Sequence, residues 1–80
     1  MKLAVIKKLV NLYELDELKA AEESILNEDT PEIEVDGKDE GEQLTHVSAA
    51  IWIIEKMESD DLELSKAIRA YSQRVRDSIS

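Results

Sequence analysis

The chain reads as all-α: four short helices, at about 2–13, 15–27, 40–58 and 61–79, bundled around the third. Three observations carry this. Two glycines, one proline and no phenylalanine in 80 residues supply too few turn and strand formers for a β domain. Ala, Leu, Glu and Lys are abundant, and these favour helix. Apolar residues also recur at helical spacing in separate stretches.

The first stretch holds Leu3, Ile6, Leu9, Val10 and Tyr13 on one half of a helix, with Lys7, Lys8, Asn11 and Glu14 on the other. If that helix ran on, Asp16 and Glu17 would point inward and Leu18 outward. The phase therefore breaks near Glu14 to Asp16. A second helix starts there, with Leu15, Leu18, Ala21 and Ile25 on its own face and acids in its first turn, where the dipole favours them. A single bent helix is the alternative.

The long connection, at about 28–39, is acidic; residues 27–41 hold the only Pro and both Gly. Its "EIEV" alternates like a strand, but no second strand follows Asp36-Gly37, so the segment reads as loop. Asp39 and Glu42 form a D-x-x-E start for helix 3, and Asp60 to Glu63 repeats the pattern before helix 4. Helix 4 carries Leu64, Ile68, Tyr71, Val75 and Ile79 as one stripe, and runs from acidic to basic (Arg69, Arg74, Arg76).

Helix 3 is the unusual one. Leu44, Val47, Ala49, Ala50, Ile51, Ile53, Ile54 and Met57 cover roughly 220° of its circumference. One neighbour cannot shield that arc, so helix 3 must be sandwiched. It is either the centre of a monomeric bundle or the seam of a two-fold homodimer; dimers of this symmetry are the commonest oligomers, and the width of the arc points that way. The expected core is Leu44, Val47, Ile51, Ile54, Leu64, Ile68, Tyr71 and Val75. Trp52 falls outside the arc with Thr45, Ser48, Glu55 and Lys56, so Trp52, Lys56 and Glu55 are the candidate partner contact.

Charge is segregated. Residues 1–13 carry +3, residues 14–65 carry −15 and residues 66–80 carry +3, for a net −9. Such a field repels phosphate, and no Arg/Lys stripe is interleaved with aromatics, so direct nucleic-acid binding is not expected. The acidic middle suits a basic protein partner, or a mimic of nucleic acid in an antidote-type inhibitor. The absence of cysteine fits a reducing cytoplasm. No apolar run reaches the about 7 residues of a signal core or the ~18 of a membrane span.

Signatures of chemistry fail on inspection. An EF-hand alignment through Glu32, Glu34, Asp36 and Gly37 places Gln43 where a bidentate carboxylate is needed. That leaves at most weak, nonspecific cation binding. His46, the only histidine, has no ligand set or nucleophile beside it and reads as structural. An acyl-carrier reading fails because the nearest Asp-Ser, Asp77-Ser78, ends the last helix instead of starting one. No cofactor and no catalytic residue is therefore expected. An enzyme or carrier would need a pocket, which only Tyr13, His46 and Tyr71 could line with polar groups.

"MKLAVIKKL" (Met1 to Leu9), "AAIWIIEKM" (Ala49 to Met57) and "RVRDSI" (Arg74 to Ile79) together resemble a family of small acidic bacterial proteins, a domain of unknown function found mainly in Bacteroidetes-type bacteria. The likeness leaves out the acidic loop and helix 2. Members often have Pro where this chain has Ala4, which suits a first helical turn. The resemblance implies no activity, only an accessory role beside thiol redox systems whose chemistry a cysteine-free chain cannot itself perform. The reading is thus a cytoplasmic, non-enzymatic interaction module.

Overall fold

Four helices form, in the order α1 (Leu3–Leu12), α2 (Leu15–Leu26), α3 (Glu40–Asp60) and α4 (Leu64–Ile79), with no strand among the described residues. The computed structural model describes residues 2–79, without the side chain of Ile79, so the last member of the helix 4 stripe lies outside the described residues.

The break between α1 and α2 is real. Tyr13 and Glu14 are both extended, and Glu14 closes a reciprocal capping box with Glu17, whose Oε1 accepts the Glu14 N–H at 3.0 Å. This restart lets Leu18 face inward, fully buried, instead of outward as in a continued helix. Asp39 caps α3 as expected, its Oδ1 accepting the Glu42 N–H at 2.8 Å.

The second D-x-x-E start is corrected. Asp60 is the last residue of α3, and its carboxylate is taken by Lys56, 2.7 Å away, and by the Ser59 hydroxyl. Asp61 then turns left-handed (φ 53°), and the Leu62 N–H donates back to the Met57 carbonyl at 3.0 Å. That Schellman-type closure ends α3 two residues later than expected and delays α4 to Leu64. Asp61 and Glu63 thus precede α4, which has no acid in its first turn. Glu28 ends α2 in the same way, with φ 62° and an Asp29 N–H to Ser24 carbonyl bond of 2.8 Å.

α1, α2 and α4 each pack against α3, which is therefore the hub. Its Val47, Ala49, Ala50, Ile51 and Ile53 are buried against Ile6 and Leu9 of α1, Leu18, Ala21 and Ile25 of α2, Val35 of the loop, and Ala67 and Ile68 of α4. Each large aliphatic in this set contributes about 1.5–3 kcal/mol by leaving water. Of the expected core, Val47, Ile51 and Ile68 are buried, while Leu44, Ile54, Leu64, Tyr71 and Val75 are half-buried. One chain thus covers most of the wide arc; Leu44, Ile54 and Met57 are the members left half open, the last two facing the end of α1 and the start of α2.

The loop is not loose. Val35 is buried and Ile33 half-buried, so the alternation of "EIEV" marks which side chains point inward without any strand being formed. Gln43 Nε2 donates to the Val35 carbonyl at 3.1 Å. Gly37 lies so close to α3 that a Cβ there would come within 2.8 Å of the Gln43 backbone nitrogen. His46, fully buried on α3, donates from Nδ1 to the Asp36 carbonyl at 2.8 Å and accepts the Lys2 N–H on Nε2 at 2.9 Å. A backbone amide can only donate, so the ring is held as the Nδ1–H tautomer. One side chain joins the start of α1, the loop and α3.

Candidate functional site

Trp52 lies on the seam between α3 and α4, and it is half-buried where the sequence predicted exposure. Helical phase turns it out of the α3 arc, but α4 crosses beside it. The Tyr71 ring is tilted onto the indole, with centroids 5.6 Å apart and planes at 56°. Two cations lie over the same ring: the Arg74 guanidinium at 5.5 Å and the Lys56 ammonium at 5.9 Å. The local chemistry is therefore aromatic and cationic, set in an otherwise acidic chain.

Lys56 is divided between two partners. Besides facing Trp52 it binds Asp60, one turn on, and the Lys56 ammonium and Ser59 hydroxyl hold the exposed Asp60 carboxyl below its ordinary value. Glu55 pairs instead with Lys19 of α2 at 3.7 Å, and the Ser48 hydroxyl donates to Glu22 of α2 at 2.7 Å.

Two open clefts flank the indole. One, of about 380 Å³, runs between α3 and α4 past Ser48, Tyr71, Arg74, Val75 and Ser78. The other, of about 270 Å³, is bounded by Trp52, Glu55, Lys56 and Ser59. The three residues singled out from sequence thus share one cleft. Sequence reasoning missed Tyr71 and Arg74 as their neighbours, because only packing shows which face of α4 meets Trp52. Their spacing of three on α4 was the available signal.

A separate cleft of about 590 Å³ opens on another side of the hub, where the end of α1 and the start of α2 meet the second half of α3. Val10, Tyr13, Leu15, Ile54 and Met57 line it, with Glu14, Asp16 and Glu58 at its edge. The sequence placed these on the faces of three different helices and gave no hint that they converge.

The structure keeps Tyr13, His46 and Tyr71 apart: the first is in this apolar cleft, the second is sealed in the core and the third is on the Trp52 seam. Ser78 lies in the last turn of α4 and donates to the Arg74 carbonyl at 3.0 Å. Among the described residues no three His, Asp or Glu side chains are grouped to hold a metal ion, and no helix is long and apolar enough to cross a membrane.

A family model matches the whole chain, residues 1–80, and its description is a family of unknown function. No curated protein and no solved structure matches.

Proposed function

We propose that this chain, which belongs to the family of unknown function DUF6952, is a non-enzymatic interaction or accessory module of the bacterial cytoplasm, with Trp52, Lys56 and Glu55 at its contact surface. The observation that carries this is the lone tryptophan of the chain. It is half-open on a helix seam between two clefts, braced by Tyr71 and Arg74. Trp, Tyr and Arg are the residues that dominate binding energy at protein interfaces. Here the ring is already held in place, so little side-chain entropy is lost on contact. The indole N–H has no hydrogen-bond partner among the described residues, leaving it free to donate to a partner's carbonyl or carboxylate.

The test is recovery of partners from a native lysate by the wild type and by Trp52→Ala, with Lys56→Glu as a second, exposed variant. Circular dichroism confirms that each is folded. A contact of this kind loses about thirtyfold or more in affinity on truncation, equivalent to ~2 kcal/mol. Equal recovery of every partner by all three proteins would remove this surface from the proposal.

A second reading, a two-fold homodimer, draws support from the opposite charges of residues 14–65 and 66–80, −15 and +3. Lys66, Arg69 and Arg76 of α4 have no salt-bridge partner among the described residues, and they could meet the acidic middle of another copy. Light scattering at micromolar concentration decides it: a species of 9.1 kDa is the monomer, and twice that mass is the dimer.

A further inference from the structure

The apolar cleft at the α1–α2 junction is a different kind of surface from the Trp52 seam. On α3, Ile54 and Met57 stand about 160° and 140° around the helix from Trp52. The two surfaces are therefore separated by the body of the hub. Val10 of α1, Tyr13 just after it and Leu15 of α2 complete the cleft, and all five residues are half-buried, leaving apolar surface in water. The carboxylates of Glu14, Asp16 and Glu58 stand at its edge, and no Lys or Arg lines it. Glu14 already accepts a hydrogen bond in the α2 capping box, while Asp16 and Glu58 have no partner among the described residues.

We propose that this cleft docks a basic amphipathic helix of a protein partner, its apolar side chains seated on Ile54, Met57 and Leu15 and its Lys or Arg residues meeting Asp16 and Glu58. An open apolar trough between helices suits a helix laid in it, whose i, i+3, i+4 and i+7 side chains serve as anchors. The rim decides the sign of the partner. A second copy brought face to face would set the same three carboxylates against each other, within a chain already at −9. Like charges so placed oppose association at an interface. An anionic membrane surface is repelled for the same reason. A basic helix gains from both the floor and the rim. This surface stands whether or not Trp52 is a contact.

The experiment is methyl-resolved NMR and fluorescence anisotropy on the full chain, with a synthetic helical peptide of Leu and Lys in i, i+3, i+4, i+7 spacing. A peptide of the same composition in scrambled order is the control. Expected are shifts concentrated at the Val10, Leu15, Ile54 and Met57 methyls, and affinity for the patterned peptide about tenfold or more above the scrambled one. The exposed double variant Asp16→Lys/Glu58→Lys should lose about tenfold or more. Glu34→Lys/Glu40→Lys, with the same change in net charge but placed on the loop side, should stay within about threefold of wild type. Equal binding of both peptides, equal loss in both double variants, or shifts spread over the loop and over α2 beyond Leu15 would overturn the proposal. So would cleft methyl signals that move when the chain alone is diluted, since the occupant would then be a second copy.

Discussion

Residues 28–39 contain no helix or strand and are dense in carboxylates, whereas α4 has the cleanest apolar stripe of the chain and sixteen helical residues. Their anchoring is the reverse of their regularity. The loop sends Val35 into the core, accepts side-chain bonds from Gln43 and His46 at two successive carbonyls, and presses Gly37 against the α3 backbone. Lys8 adds an exposed contact to Asp36 at 3.4 Å. α4 buries Ala67 and Ile68 and leaves Leu64, Tyr71 and Val75 half-open, with α3 as its main support. A periodic pattern says which face a segment will present, and the number of buried groups says how firmly it is held.

Replacing His46 by Ala strikes the comparison hardest. It would open a cavity and leave the Lys2 N–H and the Asp36 carbonyl without partners, at a cost of about 3–5 kcal/mol. A chain of this length has only about 4–12 kcal/mol of stability in total, so urea denaturation followed by circular dichroism should show the midpoint collapse. A loss under ~1 kcal/mol would mean that the loop is held by something else.

A matched pair sharpens the contrast. Val35→Ala in the loop should cost about 1.5–2 kcal/mol, the worth of two buried methylene equivalents. Val75→Ala in α4 should cost under ~1 kcal/mol, because the site is half-open and Ala is the better helix former. Equal losses in the same denaturation experiment would abolish the distinction.

The smallest effect concerns the end of α3. The folded Asp60 carboxyl lies below its ordinary value of 3.8, held there by Lys56 and Ser59. A depressed carboxyl adds stability that is complete above its unfolded value and is lost as pH falls through the folded one. Asp60→Asn should therefore flatten the stability profile only below about pH 5. No change near neutrality beyond loss of an exposed pair is expected, and an Asn variant with an unchanged acid limb would show that the pair contributes nothing.

Much of this architecture was legible in the residues. The phase conflict at Asp16 and Leu18 announced the break between the first two helices, and Asp39 to Glu42 announced the cap of the third. The breadth of apolar cover on α3 announced a hub. What stayed hidden was of two kinds. Asp60 to Glu63 matched the capping pattern, but Lys56 and the left-handed Asp61 took the same residues for the end of a helix. The number of neighbours around α3 could be argued from the arc, yet not that a charged loop would supply one of them. The candidate contacts followed the same division. Phase put Trp52, Glu55 and Lys56 on one side, whereas Tyr71, Arg74 and the Ile54 cleft depend on which helices meet. Such meetings are set by packing between segments distant in the chain, to which local spacing is blind.

The placement of the single indole on the α3–α4 seam has an optical consequence. Trp52 emission reports whether one helix is seated on its neighbour, while ellipticity reports all four together. If the protein melts as one unit, the two signals trace a single transition. If α4 lifts away first, fluorescence changes ahead of ellipticity, and the chain carries its own gauge of partial opening without any added dye.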